Sequence, residues 1–263
     1  MYMSIWQSIA DLDLKHEAGV LCTIVRSQGS TPRHAGSKML VKSDGSITGS
    51  VGGGELENRT IAAALDLIPN GKPTRLEYNL ADPAEGDPGV CGGMVEIFME
   101  PIIPRATLVV VGAGHVGQAV AHLAQWLDFR LIVSDDRQEF CTPEVIPGAE
   151  EYFPVPLEEL PQKMNITPWT YMVLTTRSVD VDVPGLPGLL DSPAAFIGVI
   201  GSRRRWETTR KQLEAVGVSQ EVMDKVHSPI GLNIHAETPE EIAVSIMAQI
   251  IQIRQSQNQD DPS

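Results

Sequence analysis

TLVVVGAGHVGQAVAHLA, Thr107 to Ala124, decides the fold of the second half of this chain. Five residues of strand character run into Gly112-x-Gly114-x-x-Gly117, and helical spacing begins at once. In that order each glycine has its own task. The first permits a tight turn, the second lets a pyrophosphate approach the backbone, and the third lets helix and strand pack closely. Free N–H groups at the helix start offer partial positive charge to a phosphate. Asp135 follows the next strand, where an acid is expected to meet a ribose hydroxyl. His115 is expected to be neutral, because a cation is disfavoured at a helix N-terminus.

Working outward, strands alternate with helices from here to the C-terminal region. Strands are expected at Thr107 to Val111, Arg130 to Ser134, weakly at Glu151 to Phe153, at Tyr171 to Thr175 and at Ala195 to Ile200. Helices fit Val116 to Leu127, Arg204 to Val216 and Pro239 to Ile253, the last opened by an N-cap threonine, a first-turn proline and a capping-box glutamate. The pattern predicts a Rossmann-like parallel-sheet domain over residues 101–255, followed by a polar, disordered tail at 256–263. Arg203, Arg204 and Arg205 follow the strand ending at Ile200, where a helix begins. Cations there oppose the macrodipole, so either an anion offsets them, with Arg203 as a contact, or they form a solvated basic turn.

Residues 1–100 read as a mixed α+β domain. Ile5, Ile9 and Leu12 share one side of an opening helix, Gly19 to Arg26 reads as a buried strand, and Ser43-Asp44-Gly45 marks a hairpin turn. Glu55 to Ile68 has helical spacing. Two strands follow, Arg75 to Leu80 and Met94 to Met99, the second placing Val95, Ile97 and Met99 on one face. Pro101 to Arg105, with two prolines, is the expected interdomain link.

The 263 residues are 42% hydrophobic, with no apolar run near the ~20 residues of a membrane span. The N-terminal stretch has no signal-peptide pattern, and the three cysteines are odd in number and scattered. Together these predict a cytoplasmic protein without disulfides. A net charge of −14 argues against nucleic acid as a partner.

The distinctive chemistry lies in the first domain. Gly52, Gly53 and Gly54 join a strand to a helix without the Lys-Ser/Thr of an ATPase loop, and their amides suit an anion nest. Glu55 and Glu57 read as acids favoured by the helix dipole. Cys91 is followed by Gly92 and Gly93, where backbone amides can stabilise a thiolate, and a single soft thiolate suits a metal such as molybdenum. Cys22 lies within an apolar strand and reads as a small buried hydrophobe.

Gly29-Ser-Thr-Pro-Arg33, Gly49-Ser-Val-Gly-Gly-Gly-Glu-Leu-Glu57 and Cys91-Gly-Gly resemble the XdhC/CoxI family of xanthine dehydrogenase accessory proteins. GAGHVG, IGSRRR and HSPIGLNIHAETPEEIA extend the resemblance over nearly the whole chain. It implies a protein that binds a molybdopterin-type molybdenum cofactor through Cys91 and protects it during sulfuration by a cysteine desulfurase. It further implies delivery to a xanthine dehydrogenase-type apo-enzyme, a homodimer, and no reaction of its own. Arg33 and the two glycine clusters are the accompanying candidates. NAD(P) or another nucleotide is the candidate ligand of the Rossmann-like half. Two other readings stay open: an NAD(P)-dependent oxidoreductase, which leaves the first domain unexplained, and a thiol enzyme built on Cys91 with a base such as His34.

Overall fold

The structure, a computed structural model, describes residues 4–69, 71–79 and 93–256. Cys91, Gly92 and the polar tail after Ser256 lie outside the described residues. The chain divides into two compact units at Pro104/Arg105.

The first unit begins with α1 (Ile5–Lys15), whose Ser4 and Gln7 form a reciprocal capping box. β1 (Gly19–Gln28), β2 (Lys38–Lys42) and β3 (Ile47–Gly49) follow, then α2 (Gly54–Leu67), β4 (Thr74–Asn79) and β5 (Met94–Ile102). The strands make one antiparallel sheet in the order β3-β2-β1-β5-β4. Val95, Ile97 and Met99 are fully buried, as the period-two pattern predicts, and meet Cys22, Ile24 and Met39 in the core. At the expected hairpin, Ser46 donates its amide to the Asp44 carboxylate.

The expected link is shorter than its prolines suggest. Pro101 and Ile102 belong to β5 and pair with Val20 and Gly19. Beyond Met99 the strand has no β4 partner, which leaves an edge where a proline is tolerated.

The second unit, Arg105–Ser256, carries β6 (Thr107–Val111), α3 (His115–Trp126), β7 (Arg130–Ser134) and β8 (Glu151–Phe153). A 3-10 turn at Leu157–Glu159 leads to α4 (Leu160–Lys163), β9 (Thr170–Leu174), α5 (Val179–Leu190) and β10 (Phe196–Val199). α6 (Arg203–Ala215), α7 (Gln220–Met223), β11 (Val226–His227) and α8 (Pro239–Ser256) complete it. All six strands are parallel in the order β11-β10-β9-β6-β7-β8. Counted within the unit this is 3-2-1-4-5-6 reversed, the dinucleotide-fold order. Leu108 and Val110 join one core with α3 and α8, while Val109 and Val111 join another with α5 and α6. A sheet covered on both faces explains why its strands are continuously apolar.

Candidate functional site

In the first unit, pairing brings the distinctive motifs together. Gln28, at the end of β1, pairs with Met94, at the start of β5, so the loop from Gly29 runs beside Gly93. A side chain on Gly93 would lie 2.5 Å from the Ser30 carbonyl oxygen and 2.6 Å from that of Gln28, so this close approach needs glycine. On the other side, Gly52 backs onto the same loop, and a Cβ there would meet Pro32 at 2.6 Å. Three motifs distant in sequence therefore share one place. Thr31 sits between them, and its Oγ1 is buried with no hydrogen-bond partner among the described residues. Gly53 and Gly54 present no side chain, and a Cβ on either would meet nothing within 4 Å. An orphaned hydroxyl beside a bare backbone surface fits a flat polar ligand. Arg33 and His34 are exposed on the same loop.

The glycine amides are not free, a feature that sequence reading missed. Glu57 turns back along the first turn of α2, and its Oε1 accepts from the Gly53 amide at 2.9 Å and the Gly52 amide at 3.3 Å. It also accepts from the Ser50 hydroxyl, which in turn accepts from the Gly52 amide. Glu57 is the fourth residue after the N-cap Gly53, one place beyond the capping-box position, yet it reaches back to the N-cap amide in the same way, and Gly53 has no side chain to return the bond. Burial alone would raise the Glu57 carboxyl, but the Ser50 hydroxyl and the amides of Gly53, Gly52 and Val51 hold it below its ordinary value. The nest expected for an external anion thus holds the chain's own carboxylate. An acid following a glycine run at helical reach was the available signal.

Glu57→Ala should therefore cost about 2–3 kcal/mol, since the hydrogen bonds involve a charged acceptor that is only partly exposed. Glu57→Gln keeps an acceptor oxygen and should cost about 1 kcal/mol. Because the folded pKa is depressed, the Glu57 contribution is complete above about pH 4.5 and is lost as pH falls through the lower folded value. Urea titrations of the three proteins at pH 7 and pH 3.5 check this. A difference between wild type and Glu57→Ala that does not shrink at the lower pH contradicts it.

In the second unit the three glycines occupy distinct environments. Gly112 has φ +103° and turns against the Thr175 carbonyl, with the Thr175 hydroxyl donating back to the Gly112 oxygen at 2.6 Å. Gly114 faces open space. A Cβ on Gly117 would lie 2.0 Å from the Gly112 oxygen, which no side chain can occupy. Asp135 is 3% exposed and lies against the loop itself. Its Oδ2 accepts from the Ala113 amide at 2.8 Å and from Arg137 Nη2, and its Oδ1 accepts from the Arg137 amide and Nε. The neighbouring Asp136 makes a two-pronged ion pair with Arg177, 2.6 Å on each arm.

The arginine triplet separates into different roles. Arg205 turns inward to the fully buried Asp182 at 2.6 Å and to Thr176. Arg203 is exposed on the rim of a cavity of about 600 Å³, also lined by Gly201, Gly231, Asn233 and His235. Cys22 and Cys141 are buried free thiols, and burial pushes Cys22 up to about 12 and also raises Cys141. His227 is lowered by burial and stacks on Phe196. Among the described residues no group of three or more His, Cys, Asp or Glu could hold a metal ion, and no helix is long and apolar enough to cross a membrane.

Comparison with known proteins agrees with these two sets of features. Residues 108–250 match the family described as the XdhC Rossmann domain, and residues 13–79 match the XdhC and CoxI family. The chain is 36% identical over 261 residues to the uncharacterized protein YqeB of Escherichia coli K12, covering 96% of this chain and 46% of that protein. It is 32% identical to a probable xanthine dehydrogenase subunit of Bacillus subtilis, covering 60% of this chain and 46% of that one. The chain thus spans about half the length of these two relatives. The molybdenum cofactor insertion chaperone PaoD of E. coli is 22% identical, with 93% of this chain and 86% of PaoD covered. A solved structure described as a xanthine dehydrogenase from Bacillus halodurans shares the fold, with a TM-score of 0.53, 23% identity and 99% and 98% of the two chains covered. With both halves matched in order by the family's two parts, the chain belongs to the XdhC and CoxI family.

Proposed function

We propose that this chain binds a molybdopterin-type molybdenum cofactor in its first unit, supports its sulfuration and delivers it to a xanthine dehydrogenase-type molybdoenzyme. The observation that carries this reading is that Gly52 and Gly93 both close on the loop from Gly29 to Pro32. Gly52 against Pro32 and Gly93 against Ser30 leave the Thr31 hydroxyl buried, without a partner among the described residues, near glycines that present no side chain. The relative PaoD, named as a molybdenum cofactor insertion chaperone, supports the choice of cargo.

In this reading Cys91 supplies a thiolate to the metal, Gly52, Gly53, Gly54, Gly92 and Gly93 give the backbone surface, and Arg33 meets an anionic group of the ligand. The cofactor is carried rather than consumed, so the chain acts as an accessory protein. Its partners are a cysteine desulfurase, the apo-hydroxylase and a second copy of itself, in the cytoplasm. The second unit holds NAD(P) or another nucleotide over Gly112, Gly114 and Gly117, with Asp135 bracing the loop and Arg203 at the adjoining cavity.

The test is to purify the chain from cells with an active molybdenum-cofactor pathway and identify bound pterin, metal and nucleotide by mass spectrometry. Stoichiometric pterin and molybdenum are expected. Their absence, together with steady NAD-linked turnover of a small substrate, would replace this reading with the oxidoreductase one.

A further inference from the structure

We infer that Asp136, rather than Asp135, reads the ribose of a nucleotide in the second unit and selects a free 2′-hydroxyl over a 2′-phosphate. This rests on the nucleotide reading of that unit and goes beyond it by naming the group recognised.

The sheet order puts β6 between β7 and β9. Asp136 lies just past β7 and Arg177 just past β9, so their ion pair joins the loops on either side of the Gly112 turn. Asp135, the acid at the position expected from sequence, is committed elsewhere. A carboxylate has about four acceptor positions, and Asp135 fills them with the Ala113 amide and three donors of Arg137. It is also 3% exposed. Among the described residues Asp136 accepts from Arg177 alone, once at each oxygen, and so keeps acceptor positions open. Its side chain is 29% exposed and Arg177 is 49% exposed, and in the cleft at the end of β6, which Asp135 and Arg137 also line, they are the pair open to solvent.

A second feature of that cleft points to a ligand. Ser134 is fully buried and lines the cleft, yet its Oγ has no hydrogen-bond partner among the described residues. With the ion pair closed, the cleft holds about 20 Å³, room for one water-sized group. A ribose enters only if Arg177, whose side chain is half exposed, swings aside into solvent, so its hydroxyls must replace both arms of the ion pair. Opening it leaves one carboxylate facing two hydroxyls, the arrangement a vicinal diol satisfies. The Arg177 guanidinium keeps the Asp136 carboxyl below its usual range, so the reader is an anion near neutrality. An anion at this point repels a 2′-phosphate, whereas the released Arg177 attracts one once Asp136 is gone.

The experiment is calorimetric titration of the full chain with NAD⁺ and with NADP⁺, comparing wild type, Asp136→Ser and Asp136→Ser/Arg177→Gln. The wild type should prefer NAD⁺. Asp136→Ser should weaken NAD⁺ by roughly 10- to 100-fold, as for a lost hydrogen bond to a charged group, and should tighten NADP⁺. Adding Arg177→Gln should remove the NADP⁺ gain. A purely structural role for Asp136 would weaken both ligands together, and an unchanged NAD⁺/NADP⁺ ratio overturns the assignment while leaving nucleotide binding intact. A wild type that binds neither dinucleotide overturns the nucleotide reading and this assignment with it. Asp136→Asn, which keeps the size of the side chain, guards against a folding defect and should shift the ratio in the same direction.

Discussion

Cys91→Ala protein should fold like its parent and lose its molybdenum cofactor. In sequence the thiol is followed directly by Gly92 and Gly93, so its removal deletes one small group with few local side chains to collapse around it. The stability cost should be roughly 1 kcal/mol or less, the low end for truncations. In the proposed reading the thiolate is bonded to the metal, so its removal is a larger loss to the ligand. Removing a supporting group around a metal site already costs about 10- to 100-fold in affinity, and removing the ligand itself should cost at least that. Cys22→Ala should do the reverse. Its side chain is fully buried in β1, level with Met39 and Met99, and burial raises its thiol to about 12, so it stays protonated. Stability should fall by about 1–2 kcal/mol with cofactor retention unchanged. Urea unfolding together with metal analysis of the purified variants separates the two. A Cys91→Ala protein that keeps its molybdenum and still activates the partner enzyme removes the thiol from the mechanism.

Asp182→Ala should be among the most destabilising single changes in the second unit. The Asp182 carboxylate, on α5, is fully buried and accepts from the Thr176 hydroxyl and from Arg205. The Arg205 Nε is itself buried without a partner, so the guanidinium relies on Asp182 and Thr176. Breaking a buried pair from one side costs about 3–5 kcal/mol, because a charge is left without compensation. The residual exposure of Arg205, 21%, places the expectation near about 3 kcal/mol. Removing both groups with Asp182→Ala/Arg205→Met should recover part of the loss. Denaturant unfolding of the single and double variants measures this. A single variant within about 0.5 kcal/mol of wild type, the range of an ordinary surface substitution, contradicts the role of the pair.

The parts legible in sequence were those with a local cause. Val95, Ile97 and Met99 alternate because one face of β5 is buried, and in GAGHVG the demand for Gly117 comes from the Gly112 oxygen five residues before it. α5 was not legible. Pro184 and Pro187 lie inside it, and each removes a helix hydrogen bond. What offsets that loss is distant: burial of Leu186, Leu189 and Leu190, the Asp182–Arg205 pair, and Gly185, which lets the helix sit directly on Leu157. Pro101 was misassigned for the related reason that its tolerance depends on where β4 stops.

The candidate sites divide in the same way. The glycine clusters could be identified, but the partner of their amides could not, because that depends on the path by which Glu57 turns back over the loop. Asp135 and Asp136 are adjacent acids. Only the positions of Arg137 and the Ala113 amide separate the buried one that braces the turn from its partly exposed neighbour.

The carboxylate already seated in the triglycine loop also bears on competition. An open ring of amides would attract any small anion, and inorganic phosphate would compete with a scarce cargo for it. Here the ring is neutralised from within, so a passing phosphate gains little by approaching and has Glu57 to displace first. Selection at this surface then falls to shape and to groups such as the Thr31 hydroxyl. Binding at the glycine loop itself then depends less on ionic strength than an open ring of amides would.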